Sequence, residues 1–301
     1  MKRVLITGAN SYIGTSFEKY SAAHYSSEIS TDTINMTDPS WRKKNFSDYD
    51  VIFHVAGIAH ADNGHETEEE KARYFSVNRD LAIETAEKAK SEGVKQFILM
   101  SSMLVYGAAA FQRRINENTK PMPSVCYSFS KWQADEKIRE MADENFIVSM
   151  LRPPMIYGKN CKGNYPLLSK IARYSPIFPD YKNERSMLYI ENLCEFVCQI
   201  IIRNKDGIFF PQNSEYVQTS EMVRAIAKAA GHKIFISKIF NFLVPLGERI
   251  KIFRISERVG KAFTSMSYEK SISEYEFNYR VADFETSINL IERRNLQRNE
   301  N

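Results

Sequence analysis

The 301-residue sequence is poor in three things: cysteine, net charge and long apolar runs. Four cysteines, at positions 126, 161, 194 and 198, are too few and too scattered for a disulfide scaffold or a metal framework. Cys194 and Cys198 stand four apart in an apolar helical pattern, on one helix face, and read as buried thiols. No metal site is expected. Lys and Arg number 41 against 37 Asp and Glu, a formal charge of +4 with no run of one sign. Nucleic acid and other polyanions therefore get little support as partners. No apolar stretch reaches the ~20 residues that span a bilayer. The nearest candidate, 239–247, holds Asn241 and Pro245, and the basic-apolar run after it carries Glu248 and Glu257. An ordinary amphipathic helix is the favoured reading of 239–258, with a membrane-surface role as the alternative. The chain opens on a strand rather than a signal peptide, so a soluble, cytoplasmic, reducing setting is expected.

What is present is globular composition, 43% hydrophobic and 26% charged, at a length for about two domains. Strand and helix signals alternate through the first half. Strands are predicted at Lys2–Thr7, Asp50–Val55, Gln96–Met100 and Phe146–Leu151, with a polar, poorly defined one over Ser27–Met36. Helices are predicted from Tyr12 to about Tyr25, from about Glu66 to Ser91 and from about Cys126 to Glu144. Alternation at this spacing implies right-handed crossovers and a doubly wound parallel α/β sheet. After Arg152-Pro153-Pro154 the regularity drops, and residues 156–190 read as mostly loop. Helices near 191–203 and 219–230 and a strand near 207–210 follow. The expected division is a dinucleotide-binding domain at 1–155 and a smaller, partly interleaved lobe at 156–301.

Thr7-Gly8-Ala9-Asn10-Ser11-Tyr12-Ile13-Gly14 joins the first strand to the first helix. A glycine-rich turn in that context aims backbone N–H groups and a helix N-terminus at a pyrophosphate. Ser11 stands where a middle glycine is usual; its hydroxyl offers a phosphate a hydrogen bond in return. Asp32, eighteen positions past Gly14, sits where an acidic residue binds the adenosine ribose. No arginine neighbours Asp32 in sequence, which favours NAD, with NADP as the alternative.

Tyr127-Ser128-Phe129-Ser130-Lys131 is a Y-x-x-x-K pattern, of which sixteen tyrosines yield about one by chance. Its context carries more: it opens a long helix, after a strand ending in Ser101-Ser102. Spacing of four puts Tyr127 and Lys131 on one face. A tyrosine ionises near ~10, so work at neutral pH asks for roughly 4 kcal/mol of stabilisation of its anion. The Lys131 ammonium and a bound nicotinamide are the expected sources. Such a tyrosine moves a proton at a hydroxyl while hydride leaves or joins the same carbon, and Ser102 holds that oxygen.

Taken together, these motifs resemble the extended short-chain dehydrogenases/reductases that modify nucleotide sugars, the NAD-dependent epimerase/dehydratase family. The likeness runs from Thr7 to about Leu193. It includes His54-Val55-Ala56-Gly57, Val77-Asn78, Ser101-Ser102-Met103-Leu104-Val105-Tyr106-Gly107 and Leu151-Arg152-Pro153-Pro154-Met155-Ile156-Tyr157-Gly158. It closes on Arg185-Ser186-Met187-Leu188-Tyr189-Ile190-Glu191-Asn192-Leu193. The resemblance implies that Gly8, Ser11, Tyr12, Ile13 and Gly14 cradle the pyrophosphate. It implies that Asn35 and Met36 lie on the adenine side, that Ala56 and Gly57 line the cofactor and that Asn78 supports it. Ser102, Tyr127 and Lys131 form the implied catalytic trio, the latter two also touching cofactor. Asn164, in Lys162-Gly163-Asn164, and Arg185 match residues that grip a nucleotide diphosphate. His54 and His60 are read as structural or cofactor-adjacent.

Departures from the family pattern narrow the chemistry. In sugar-nucleotide 4,6-dehydratases an acidic pair follows the serine; here those positions are Met103 and Leu104, which transfer no proton. The resemblance is to UDP-hexose 4-epimerases or 4-ketohexose reductases of surface-polysaccharide pathways. A 4-epimerase is the first expectation and an NAD(P)H-dependent reductase of a UDP-4-keto-6-deoxyhexose the second. A non-catalytic dinucleotide sensor on the same fold is the alternative of another class. A UDP-linked sugar is the expected partner, and dimerisation through the helices at about 66–91 and 126–144 is common in the family.

Overall fold

In the computed structural model, residues 1–59, 66–111, 114–242 and 263–299 are described. The chain runs β1 (Lys2–Thr7), α1 (Tyr12–His24), β2 (Ile29–Ile34), β3 (Val51–His54), α2 (Glu68–Phe75), α3 (Leu81–Ser91), β4 (Gln96–Met100), α4 (Cys126–Arg139) and β5 (Ile147–Leu151). It continues through β6 (Met155–Tyr157), α5 (Asn164–Tyr174), β7 (Ile177–Pro179), β8 (Met187–Tyr189), α6 (Ile190–Ile202), β9 (Gly207–Phe209), α7 (Thr219–Ala229), β10 (Phe235–Ser237) and α8 (Phe284–Asn299).

Six strands form one parallel sheet in the order β2-β1-β3-β4-β5-β9. The order reverses between β1 and β3, so the turns leaving those strands part and open a crevice at the carboxyl edge. β3 and β4 are buried along their whole length, which is why Val-Ile-Phe-His and Gln-Phe-Ile-Leu-Met show no polar alternation. β2 is an edge strand, and its polar Ser30, Thr31 and Asp32 are accordingly half-buried or exposed.

Each face of the sheet has its own packing. On one side Phe17 of α1 meets Phe53 edge-on at 5.2 Å, beside Leu193, Val197 and Ile201 of α6. On the other, Ala82, Ala86 and Ala89 of α3 and Ala134 of α4 lie against Ile52, Phe97 and Leu99. The alanines let helix backbones approach the sheet closely. Cys194 and Cys198 lie buried on α6, as their spacing implied.

Three predicted elements differ in the structure. The helix expected to run to about Glu144 ends at Arg139. The single helix expected over 66–91 is α2 and α3 joined by a π turn at Ser76–Asp80. Its start is fixed by a capping box, Thr67 Oγ1 accepting from Glu70 N at 3.2 Å and Glu70 Oε2 from Thr67 N at 2.9 Å. The stretch 156–190, read as loop, holds α5 and the short strands β6, β7 and β8. Pro166 suggested a break, but it falls in the first turn of α5, where a missing N–H leaves no hydrogen bond unmade. The lobe after residue 156 is woven into the first half: α6 packs on α1, and β9 extends the main sheet beside β5. His60 and residues 243–258 of the basic-apolar run lie outside the described residues. No described helix is long and apolar enough to cross a membrane.

The later part of the chain is held by an aromatic cluster around Phe196, fully buried on α6. Its ring packs against Phe209, Tyr275, Phe277 and Tyr279 at 5.6, 5.1, 5.4 and 5.0 Å. Large-to-small change here removes the hub of five rings. Phe196→Ala is expected to lower unfolding free energy by about 3–5 kcal/mol, read as a lower urea midpoint.

Candidate active site

The turn after β1 is shaped by close backbone approaches. Gly8 has φ +116, and a Cβ there would come within 3.0 Å of Ala56 N. A Cβ on Gly14 would fall 2.7 Å from Ser11 Oγ and 3.0 Å from Ile6 Cγ2. Glycine at both positions lets the turn from β1 lie against the turn from β3. Ser11 caps α1, its Oγ accepting from Gly14 N at 3.1 Å, which leaves its own proton to donate outward. No acidic residue occupies the first turn of α1, so the helix N-terminus keeps its positive end. These features fit a dinucleotide pyrophosphate.

The loop beyond β3 is fastened from the π turn. Fully buried Asn78 accepts from Ile58 N through Oδ1 at 2.9 Å and donates Nδ2 to Ile58 O at 3.0 Å. The same Nδ2 reaches Ser130 Oγ on α4 at 3.3 Å. A Cβ on Gly57 would lie 3.0 Å from Asn78 Oδ1 and 3.1 Å from Lys131 Nζ. Gly8, Ala56, Gly57, Asn78 and Lys131 thus form one continuous line of contacts along the sheet's carboxyl edge. π turns of this kind recur where a helix must present a side chain out of register.

Ser102 follows β4, and Tyr127 is the second residue of α4, one turn before Lys131. Ser128 closes the start of that helix, its Oγ accepting from Ser124 N and Val125 N at 3.1 Å each. The Tyr127 hydroxyl is hydrogen-bonded to Ser102, whose Oγ also accepts from Leu104 N at 3.1 Å. Burial pushes the Tyr127 phenol above its ordinary 10, with the Ser102 bond pulling the other way. Lys131, 6% exposed, donates Nζ to Met100 O at 2.9 Å. Burial lowers it to about 8, opposed by the charge of Asp135.

Other expected residues are placed as follows. Asp32 lies inside β2, two residues short of its end, where it accepts from Tyr49 Oη at 2.8 Å. Arg3, near the amino end of the neighbouring strand, lies 3.8 Å from its carboxylate. The glycine turn instead docks on the end of β2, Gly8 N and Ala9 N donating to Ile34 O at 2.9 and 3.0 Å. Asn35 follows there, its Oδ1 held by Thr37, while Met36 is buried in the core with only its backbone to offer. Ile13 packs inward against the core. Tyr12 turns toward the second lobe, where a Cβ on Gly158 would meet its hydroxyl at 2.5 Å. Asn164 begins α5 behind Gly163, whose φ is +96. Arg185 donates Nη1 to Thr264 O at 3.1 Å, and burial lowers it to about 10.

Sequence reasoning passed over three groups beneath the trio. Tyr74 of α2 stands edge-on to Tyr127, ring centres 6.3 Å apart. Asp135 and Arg152 form a buried ion pair at 2.8 Å. Asp135 was visible in principle, four residues past Lys131 on the same helix face. His54, expected to be structural or cofactor-adjacent, is fully buried with Nδ1 2.8 Å from Thr7 Oγ1 and its ring stacked on Phe97.

The family profile described as "NAD dependent epimerase/dehydratase family" matches residues 4–209, more than half of the 301. The chain belongs to this family. Among curated relatives, a UDP-glucose 4-epimerase of Vibrio cholerae is 28% identical over 254 residues, covering 76% of each chain. The Thermus thermophilus UDP-glucose 4-epimerase, solved in complex with NAD, superposes with a TM-score of 0.74 at 16% identity over 97% of this chain and 98% of its own. A dTDP-4-dehydrorhamnose reductase from Clostridium acetobutylicum matches at TM-score 0.74 and 14% identity over 98% of this chain and 99% of its own. The doubly wound fold and NAD(P) dependence are thus those of the family.

His54 generates a pH prediction for this member of the family. Burial and the nearby Lys131 charge hold its imidazole down at about 3, against 6.5 in the unfolded chain. Between those values the unfolded state binds the proton and the folded state does not, so stability falls as pH drops below 6.5. The expected loss from pH 7 to pH 5 is about 2 kcal/mol. Urea unfolding at the two pH values measures it, and His54→Gln flattens that slope.

Proposed function

We propose that the protein is a UDP-hexose 4-epimerase, acting by transient oxidation at C4 of the sugar. The observation that carries the reading is the Ser102–Tyr127 hydrogen bond with Lys131 one turn below and no acid beside the serine. Met103 is buried at 3% exposure, and Leu104, 41% exposed, occupies the other position where a dehydratase needs a carboxyl group. Proton transfer at one hydroxyl is provided for; elimination of water is not. The 28% likeness to an enzyme described as a UDP-glucose 4-epimerase supports the substrate class.

In this reading residues 1–155 hold the dinucleotide and residues 156–301 the nucleotide sugar. Gly8, Ser11 and Gly14 at the α1 N-terminus would hold the pyrophosphate, and Ala56 and Gly57 would border the nicotinamide half. Asn164 and Arg185 would hold the sugar nucleotide's phosphates. NAD, when bound, would supply the hydride acceptor and donor. Ser102 and Tyr127 hold the sugar O4. Tyr127 takes the O4 proton in the oxidising half and gives it back in the reducing half, while Lys131 stabilises the phenolate between them.

Tyr127→Phe is expected to bind dinucleotide like wild type and to lose at least 10²-fold in turnover. Incubation with UDP-glucose or UDP-N-acetylglucosamine, followed by NMR of the products, checks the stereochemical outcome. Failure of wild type to interconvert any UDP-hexose while binding NAD sinks the epimerase reading. Stoichiometric consumption of NADPH on a UDP-4-keto-6-deoxyhexose replaces it with the reductase. Tight dinucleotide binding with no turnover of either substrate class replaces both with a sensor.

A further inference from the structure

Tyr127, Lys131 and Asp135 are spaced one turn apart on the same face of α4. The Asp135 carboxylate is completely enclosed, at 0% exposure, and Arg152, 3% exposed, grips it from the end of β5. Arg152 Nε donates to Oδ2 at 2.9 Å and Nη2 to Oδ1 at 2.8 Å; Arg139 Nε adds a bond to Oδ1 at 3.1 Å. The third arm of the guanidinium, Nη1, donates to Tyr106 Oη at 2.7 Å.

The backbone around Arg152 is tied to the serine loop on both sides. Ser101 N donates to Leu151 O at 2.8 Å, and Met103 N donates to Pro153 O at 2.9 Å. Ser102 is therefore suspended between two bonds to the neighbours of Arg152, and Arg152 holds the helix that carries Tyr127 and Lys131. The Arg152 carbonyl accepts from Tyr268 Oη at 2.6 Å, and its N–H donates to Phe209 O at 2.9 Å. Burial works against the Arg152 cation, yet the Asp135 bonds and charge raise it above its ordinary value.

We propose that Asp135 and Arg152 are positioning residues of the active site: the pair locks the Tyr127–Lys131 helix to the Ser102 loop, and the Asp135 carboxylate keeps the Lys131 ammonium charged. The groups facing Lys131 are Tyr127 and Asp135 from α4, His54 from β3, the Met100 carbonyl from β4, and the Gly57 backbone with the Asn78 amide. His54 and Tyr127 are both neutral at pH 7 here, so they add no balancing charge. Asp135 supplies it, and Arg152 and Arg139 set how much of it Lys131 feels. Only the turnover arm of the test below rests on the epimerase reading.

The test is a titration of Lys131 in the full-length protein carrying 13C-labelled lysine, its signal identified by its loss in Lys131→Met. Wild type is expected to titrate at about 8. Asp135→Asn removes the anion and leaves the Arg152 cation, so the midpoint moves down by one unit or more. Arg152→Gln removes the cation and leaves the carboxylate, so the midpoint moves up. Opposite signs separate an electrostatic role from loss of packing, and either variant decides alone if the other does not fold. A folded variant whose Lys131 midpoint stays at the wild-type value overturns the proposal. In turnover, Asp135→Asn is expected to lose about tenfold in kcat at nearly constant KM, with the alkaline limb of its pH profile shifted to lower pH. Asp135→Glu restores the limb. A wild type without turnover counts against the epimerase reading alone, and the Lys131 midpoint still decides the positioning role.

Discussion

Much of the interior follows from burying one ammonium. Lys131 lies beneath the sheet's carboxyl edge, nearly sealed from solvent, where a bare charge costs several kcal/mol. Met100 O accepts a hydrogen bond from it at 2.9 Å. The remaining compensation is a carboxylate one turn along the helix. That carboxylate must itself be paired, which calls for the forked guanidinium of Arg152, and the fork's third arm calls for Tyr106. Tyr268, from beyond residue 263, then closes over the Arg152 carbonyl. A requirement at one side chain thus reaches through β5 into the last forty residues of the chain. The neutrality of His54 belongs to the same economy of charge, since a second buried cation beside Lys131 would repeat the penalty without a second anion.

A complementary constraint acts on the backbone. Where the strand order reverses, the turns leaving β1 and β3 must approach within van der Waals contact, and Gly8 against Ala56 satisfies that with the smallest side chains available. Gly57 does the same against Lys131. Asn78 then replaces the missing side-chain packing with three hydrogen bonds, and it reaches them because the π turn sets it apart from the regular register of α2 and α3. Small residues make the crevice, and one buried amide keeps it from collapsing or drifting open.

The first half was legible because its signals are local and mutually consistent. Short apolar runs, a serine cap followed by Gly14, and helices closed near Gly93 each report a strand or helix end without reference to anything distant. The trio was legible for a related reason: its members sit at strand and helix termini that those signals locate. Asp32 was not, because an eighteen-residue offset from Gly14 counts chain and says nothing of where β2 ends or that Arg3 lies across from it. α5 was obscured by Pro166, whose meaning depends on which turn of the helix it occupies. α8 was missed altogether; its place depends on the contacts that bury Ile288 and Glu292, the latter pairing with Arg173 and accepting from Tyr165 Oη at 2.8 Å. Interactions over more than a hundred residues leave no periodic trace.

The direction of the tyrosine's shift bears on how such a site works. Burial pushes the Tyr127 phenol toward its protonated form, and the Ser102 bond opposes it. A protonated phenol can donate to a forming alkoxide at once, but it becomes a base only when positive charge is brought near. Lys131 is positioned to supply part of that charge; burial lowers its own pKa to about 8, and the Asp135 charge opposes that fall. An enzyme that oxidises and then reduces the same carbon needs the phenol in both states in turn, so neither state can be strongly favoured once substrate and dinucleotide are in place. Burial alone would fix the acid form. On the proposed reading, the ion pair under the helix keeps a cation within reach of it, and the buried network then serves proton transfer as well as folding.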